Sequence, residues 1–326
     1  MKTWIAVLLV LAGFGLIGAL SSIAQPPPLR RHTVNQAREP RLVEADRDLP
    51  FKSQITVSQQ DGFRVIQVNN IPEHKVGRFP NDGNPHPIQQ RPATFRVPLH
   101  PARNEGTTPV ELGLNFGIGV NGVLFDPGAA EFWQGNPRSG WQYEALGGAV
   151  PLGLDTNYAH VQPDGKYHYH GLPTGLLRTL GVQGSAHSPI VGWAADGFPL
   201  YALYGHGRPG DAESAVRELH PSYRLKSGKR PGAPEEPSSP GGEYDGAFVN
   251  DYEFVAGLGD LDECNGRFCV TPEFPEGTYA YFLTHHWPCI PRMFRGTPDP
   301  SFRMGPPGGG RFGPPKGPRK PKRPRL

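Results

Sequence analysis

The chain has 326 residues, of which 37% are hydrophobic and 19% charged, so its composition indicates neither a disordered chain nor a charge-rich helical bundle. Its 43 glycines and 39 prolines favour many short strands joined by turns. The formal net charge of +3 conceals a segregation, because residues 303–326 carry eight basic and no acidic side chains. The remainder is mildly acidic, so the overall charge does not indicate the partners of the main domain.

Residues 1–24 have the features of a secretory signal peptide. One lysine precedes a long apolar run, and small residues stand before a cleavage point after Ala24. An uncleaved membrane anchor is the alternative, since the run is about long enough to span a bilayer. We favour cleavage because prolines at positions 26–28 would end a longer helix. The sequence therefore predicts a secreted or periplasmic protein.

Composition divides the rest of the chain into three parts. Residues 25–50 are predicted to be a linker, and residues 51–302 a single mainly β domain, sandwich or jelly-roll-like, with long Gly/Pro loops and one short helix. Residues 303–326 are predicted to be a disordered basic tail rich in Pro and Gly. This tail can attach to a polyanionic component of the cell envelope, and a merely solvated tail is the alternative. We find no specific nucleic-acid-binding motif.

The first predicted element of the domain is a hairpin. Strand-forming residues at 54–58 and 63–68 flank a turn that contains Asp61 and Gly62. An Asp-Gly pair between two such runs is typical of a tight β-turn.

Three histidines surround a second predicted turn. The Pro-Asp-Gly sequence at 163–165 predicts a three-residue hairpin loop, since proline fits the second position of a type I turn and glycine the left-handed position. In this register His160 lies opposite His168, and His170 shares the face of His168 because side chains alternate along a strand. A two-residue Asp-Gly loop is the alternative, and it would send His160 to the other face.

Three imidazoles on one face form a ligand set that transition metals bind, with a coordination position left open. We interpret His160, His168 and His170 as metal ligands; the alternative is that they are sheet residues bonded to their neighbours. Tyr167 and Tyr169 then point to the opposite face and can pack in the core. Imidazoles alone do not separate copper, zinc and iron. We favour copper, because the predicted compartment is extracytoplasmic and the site uses no thiolate.

Two further residues are candidates to complete or orient this site. His74 lies in a predicted loop and is a candidate fourth ligand, with an exposed loop histidine as the alternative. Asp196 can orient a ligating imidazole through a hydrogen bond, as metal-binding histidines usually require. Its alternative role is a turn aspartate that bonds to its own backbone, which the following glycine favours.

The predicted helix of the domain spans residues 211–219. Asp211 is a suitable N-cap, acidic residues occupy the first turn, and Pro221 follows the end.

The Tyr-His-Tyr-His sequence at 167–170 resembles the motif that names the YHYH family of secreted bacterial proteins. The resemblance spans roughly residues 60–302. It includes Asn-Tyr-Ala-His-Val-Gln-Pro-Asp-Gly at 157–165, Gly-Trp-Ala-Ala-Asp-Gly-Phe-Pro at 192–199 and Glu-Gly-Thr-Tyr-Ala-Tyr-Phe-Leu-Thr at 276–284. Because this family is of unknown function, the resemblance implies secretion and an importance of the histidine motif, but neither a metal nor a reaction.

The three cysteines, Cys264, Cys269 and Cys289, leave more than one pairing open. In an oxidising compartment two of them should form a disulfide, and Cys264 with Cys269 would close a short loop. The resemblance implies the pair Cys264–Cys289, because the family joins this region to a cysteine in its last motif. That motif departs here from the family pattern, since Met293 stands where a cysteine is usual.

These observations predict a secreted protein with a histidine-based metal site, acting as a metal-dependent enzyme or as a metal-binding protein on an unknown small molecule or glycan. The alternative is a non-enzymatic envelope module that binds a glycan or a protein through a groove of histidines and tyrosines.

Overall fold

A computed structural model describes residues 36–232 and 239–304. The predicted signal peptide lies outside these residues, and so does the predicted tail from residue 305 onward. The described residues are mainly β, as predicted.

Within the described residues there are seventeen strands: β1 (Ile55–Gln60), β2 (Phe63–Val68), β3 (Ala93–Pro98), β4 (Thr108–Pro109), β5 (Gly117–Gly119), β6 (Leu124–Phe125), β7 (Ala159–Val161), β8 (Tyr167–Tyr169), β9 (Gly192–Ala194), β10 (Pro199–Ala202), β11 (Tyr204–His206), β12 (Val216–Glu218), β13 (Tyr223–Leu225), β14 (Tyr252–Phe254), β15 (Gly266–Thr271), β16 (Phe274–Leu283) and β17 (Met293–Phe294). The same residues contain one α-helix, α1 (Thr174–Thr179), and four single-turn 3-10 helices (Trp133–Gly135, Pro137–Ser139, Val249–Asp251 and Pro300–Phe302).

The largest sheet has eight strands in the order β15-β16-β10-β9-β5-β6-β8-β7. It is mixed, since β10 pairs with β16 and β6 pairs with β8 in parallel, while the other neighbours are antiparallel. A separate antiparallel sheet has the order β1-β2-β3, and three two-stranded ladders pair β11 with β12, β13 with β14 and β17 with β4. The β7–β8 hairpin, which carries the three histidines, therefore forms one edge of the large sheet.

The main hydrophobic core joins the two larger sheets. Ile66 and Phe95 of the three-stranded sheet belong to the same buried cluster as Ile118, Leu124 and Phe125 of the eight-stranded sheet. Burial of each such side chain contributes about 1.5–3 kcal/mol, so this shared core is the main force that holds the sheets together.

The predicted first hairpin is confirmed. Strands β1 and β2 pair from Gln60 with Phe63 outward, around the turn formed by Asp61 and Gly62. Both turn residues have positive φ, 51° and 79°, which is the conformation that an Asp-Gly turn of this length requires.

The predicted helix at 211–219 is wrong. Asp211 does cap a turn, since its Oδ1 accepts a hydrogen bond from the backbone N–H of Glu213. The chain then extends, and Val216–Glu218 pairs with Tyr204–His206 as an antiparallel strand. The aspartate that would begin a helix closes a local turn instead. The α-helix lies at Thr174–Thr179.

The described part of the predicted linker, residues 36–50, is bonded to the domain. The backbone N–H of Arg38 donates to Gly147 O at 2.8 Å, and Val43 exchanges hydrogen bonds with Leu154 O and Thr156 N–H at 2.8 and 2.9 Å. These main-chain contacts make this segment part of the fold.

The three cysteines are buried free thiols, so the disulfide that the resemblance implied is not formed. Cys264 and Cys289 belong to the same core cluster but have different surroundings. The thiol of Cys264 lies near Asp262 and Tyr279, whereas that of Cys289 lies near the backbone of Leu172. Burial raises the pKa of both thiols to about 12, which makes them poor nucleophiles.

Among residues 36–232 and 239–304, we find no helix with the length and apolar character that crossing a membrane requires.

Candidate metal centre

The hairpin that carries the histidines has the predicted register. His160 pairs directly with His168, and Gln162 N–H donates to Lys166 O at 2.8 Å across a loop of three residues. His170 follows two positions after His168 and projects to the same face. The alternative two-residue loop is therefore excluded.

Gly165 permits the tight loop for two reasons. Its φ of +92° lies in the region that side chains rarely adopt, and a Cβ there would lie 2.8 Å from Gln89. The backbone of Gln89 is also tied to this glycine, since its N–H donates to Gly165 O at 2.9 Å. The loop is thus held both by its own turn chemistry and by a neighbouring segment.

The three imidazoles converge through their Nε2 atoms. The Nε2 atom of His170 lies 2.9 Å from that of His168 and 3.0 Å from that of His160. All three pairs of ring centroids are 4.7 Å apart, so the rings form a nearly threefold arrangement. Among the described residues, this is the only group of three or more histidine, cysteine or acidic side chains that can jointly hold a metal ion.

Backbone carbonyls orient two of the three rings. Nδ1 of His160 lies 2.9 Å from Leu152 O, and Nδ1 of His168 lies 3.3 Å from Lys166 O. In each neutral ring Nδ1 then carries the proton and Nε2 carries the lone pair. Nδ1 of His170 is buried and has no hydrogen-bond partner among the described residues, so no carbonyl fixes its tautomer.

These tautomers favour an ion over hydrogen bonding within the group. A single N–H of His170 serves one acceptor nitrogen at a time, whereas a metal ion accepts a lone pair from every ring. A metal–imidazole bond is about 2.0–2.1 Å long, so nitrogen atoms about 3 Å apart can reach one ion together. The residues present therefore fit a three-histidine metal site.

Burial keeps His168 and His170 neutral near pH 7. His168 and His170 are 1% and 4% exposed, and His160 is half-buried at the edge of the sheet. Burial lowers the pKa of His168 to about 4. The pKa of His170 lies well below its usual range, first because of burial and then because of the charges that His160 and His168 would carry. Near neutral pH these two rings present lone pairs, the form in which imidazole binds metals.

Comparison of the chain with known proteins identifies its family. The model of the YHYH protein family matches residues 94–296, which is more than half of the chain. The chain belongs to the YHYH family. No curated protein and no solved structure matches it.

The two tyrosines of the YHYH motif lie on the opposite face of β8, fully buried as predicted. The hydroxyl of Tyr167 donates to Asp155 Oδ2 at 2.7 Å. Asp155 also accepts backbone N–H bonds from Gly77 and Asn157, at 2.8 and 2.9 Å. Because side chains alternate along the strand, the tyrosines of the motif anchor one face of β8 in the core and its histidines converge on the other face.

His74 belongs to the tyrosine face of this YHYH protein. Its Nδ1 lies 2.8 Å from Lys75 O, and its Nε2 lies 2.6 Å from the hydroxyl of Tyr169. With Nδ1–H donated to the carbonyl, Nε2 accepts from the tyrosine. Both ring nitrogens are therefore engaged away from the three histidines, and the structure does not bring His74 into the metal group.

Asp196 also lies outside the metal group. Its Oδ2 accepts hydrogen bonds from the hydroxyl of Tyr281 at 2.6 Å and from the backbone N–H of Gly296 at 2.9 Å. Its Oδ1 lies 3.5 Å from the N–H of Phe198, which is the local turn contact that was the alternative. Asp196 ties its turn to β16 and to the segment after β17, and the hydrogen bonds found for its carboxylate among the described residues lead away from the three histidines.

Sequence reasoning missed the groups that orient the histidines of this YHYH protein. The carbonyls of Leu152 and Lys166 contact Nδ1 of His160 and of His168. A main-chain carbonyl has no signature in the amino-acid sequence, so only the fold reveals that of Leu152.

Proposed function

We propose that this YHYH protein holds one transition-metal ion through the Nε2 atoms of His160, His168 and His170. The convergence of these three atoms on one face of a hairpin is the observation that carries the proposal. Three protein ligands leave a coordination position for water or a substrate, as in catalytic metal sites. The proposed function is therefore a metal-dependent enzyme or a metal-binding protein.

Copper is the metal that we propose. At sites made of imidazole, copper(II) binds more tightly than the other divalent metals of the first row. The three cysteines are buried elsewhere, so the site is built without thiolate. A bound ion of this kind supplies redox chemistry or Lewis acidity, and the chain supplies three neutral nitrogen ligands, two of them oriented by carbonyls.

We also propose that the protein acts outside the cytoplasm, in the periplasm or the medium. The proposal rests on the amino-acid sequence of residues 1–24. Cell fractionation, with N-terminal sequencing of the product, tests it. A mature chain that begins at Gln25 would support the proposal, and an intact cytoplasmic chain would refute it.

Elemental analysis tests the metal site directly. The protein is purified without a polyhistidine tag, beside the His168→Ala/His170→Ala double variant and the His160→Ala variant. His100→Ala is the matched control, since His100 is exposed and lies outside the group. We expect near-stoichiometric copper in the wild type and the control, and loss of the metal in the variants that remain folded by circular dichroism.

Zinc or iron in place of copper would keep the site and correct the metal. A wild-type protein that takes up no metal, even after incubation with copper, zinc and iron salts, would overturn the proposal. His160→Ala guards against a misleading result from unfolding, because His160 is less buried than the other two histidines.

A further inference from the structure

A cavity of about 710 Å³ has Leu152 in its lining, the residue whose carbonyl contacts His160. Its walls come from three segments of the described chain, residues 38–43, 78–85 and 145–154. A volume of this size is typical of small-molecule sites. The cavity is distinct from the three histidines, none of which lines it.

Main-chain and amide hydrogen bonds hold the cavity walls together. Val43 N–H donates to Leu154 O at 2.8 Å, which joins the first wall to the third. The Asn81 side-chain amide donates to Arg78 O at 3.1 Å and to Gly153 O at 3.0 Å, which joins the second wall to the third. The cavity is therefore formed before any ligand binds.

Three exposed arginines line the cavity. Arg38, Arg41 and Arg78 form no ion pair or side-chain hydrogen bond with any part of the chain that the structure describes. Arg224 is also exposed, but it forms a 2.8 Å ion pair with Glu253.

The residues outside the described ranges contain two acidic side chains. Residues 1–35 and 305–326 have no aspartate or glutamate, and residues 233–238 include Glu235 and Glu236. Two acidic residues, Glu39 and Asp82, do line the cavity, but neither forms an ion pair within 4.0 Å among the described residues. The lining thus keeps an excess of one positive charge and three available guanidinium groups.

We propose that this cavity binds a small molecule through an oxyanion group, a carboxylate, phosphate or sulfate. Guanidinium is planar and presents paired N–H donors that match such groups bidentately. Glu39 and Asp82 oppose a compact, highly charged anion and favour a ligand that also carries hydroxyl or amine groups as donors. An acidic sugar has this combination of groups.

The cavity and the metal group share one residue. Leu152 lines the cavity, and its carbonyl accepts from Nδ1 of His160. A ligand in the cavity would therefore lie next to the segment whose carbonyl orients His160. The anion site goes beyond the proposed metal site and does not require it.

Isothermal titration calorimetry tests the anion site on metal-free full-length protein at low ionic strength. Chelator is dialysed away first, because a polycarboxylate chelator would compete for the arginines. The probes are sulfate, inorganic phosphate and glucuronate. We expect at least one probe to bind, with affinity that falls as salt is added.

Matched variants locate the binding. We expect Arg38→Gln/Arg41→Gln/Arg78→Gln to weaken binding about tenfold or more, since charge-assisted hydrogen bonds are lost. Arg138→Gln is the control, because Arg138 is exposed and does not line the cavity. Glu39→Gln/Asp82→Asn should tighten binding of sulfate and phosphate, because it removes negative charge beside the anion.

The result that overturns the proposal is equal affinity in the wild type and the triple arginine variant, or no binding of any probe by the wild type. Since all measurements use metal-free protein, neither result depends on whether the histidines hold a metal.

Discussion

At the scale of single residues, the site depends on which nitrogen of each imidazole carries a proton. Carbonyls of Leu152 and Lys166 take the Nδ1 protons of His160 and His168, so the other nitrogen faces the centre of the group. Tyr167 and Tyr169, which precede His168 and His170, are buried on the opposite face of β8 and hold the strand in its orientation. The chemistry of the site thus depends on groups that make no contact with the proposed ion.

Replacing Tyr167 by Phe tests this anchoring. The change removes the hydroxyl that donates to Asp155 Oδ2 and leaves a buried carboxylate with one donor fewer. We expect the free energy of unfolding, measured by urea denaturation, to fall by about 1–3 kcal/mol.

Tyr204→Phe is the matched control, because no hydrogen bond of the Tyr204 hydroxyl is found among the described residues. Its cost should stay within about 0.5 kcal/mol. Equal costs for the two variants would show that the bond to Asp155 contributes nothing.

Asp196 predicts a pH dependence of stability. Burial raises its pKa from the ordinary value of 3.8 to about 6. Between about pH 4 and 6 the folded protein therefore holds a proton that the unfolded chain has lost, and stability falls as pH rises through this window. The fall amounts to about 3 kcal/mol in total, at about 1.4 kcal/mol for each unit of pKa shift.

Urea denaturation of the wild type and Asp196→Asn between pH 4 and 7 measures this effect. The variant lacks the titrating group, so the advantage of the wild type should shrink as pH rises. Parallel curves for the two proteins would contradict the assignment.

At the scale of the elements, the hairpin was predictable because its signals are local. Pro-Asp-Gly specifies the loop, and the alternation of the strand then places the histidines and tyrosines on opposite faces. Helix α1 was missed because its sequence is a poor helix former, with Gly175 in the first turn. Tertiary contacts support it instead, since Gly175 N–H donates to Asn157 Oδ1 at 2.9 Å.

The incorrect prediction of a helix at 211–219 also arose from a signal that is purely local. Asp211 is a good cap in any context, but a cap does not decide whether a turn or a helix follows. Val216–Glu218 forms a strand and not a helix because it pairs with the edge of Tyr204–His206. The orienting carbonyls and the disposition of His74 and Asp196 also depend on contacts across the fold, which the spacing of residues does not encode.

Gly165→Ala tests the hairpin loop. It places a Cβ at positive φ, 2.8 Å from the Gln89 side chain, and should lower the free energy of unfolding by about 1 kcal/mol or more. Gly228→Ala is the control, with a φ of +86° and no atom within 4 Å of the added Cβ. Chemical denaturation should find a larger loss at Gly165, and equal losses would show that the contact with Gln89 is easily relieved.

At the scale of the whole molecule, the proposed metal links the site to global stability. A ligand that binds only the folded state, at a hundred times its Kd, adds about 2.7 kcal/mol to the free energy of unfolding. We therefore expect copper to raise the thermal midpoint of the wild type and a chelator to reverse the gain. The His168→Ala/His170→Ala variant should show no such gain, and an equal rise in that variant would place the stabilising metal elsewhere.

The ladder of β4 with β17 has a consequence for the order of folding. Thr108 pairs with Phe294, and Asn115 N–H donates to Phe302 O at 3.1 Å, so segments almost two hundred positions apart must meet. Closing so long a loop carries a large entropic cost before any contact compensates it, and folds dominated by such distant contacts form slowly. When only the first half of the domain has been synthesised, strand β17, which pairs with β4, does not yet exist. Part of the apolar surface of the nascent chain therefore stays exposed until residues near 300 have been synthesised.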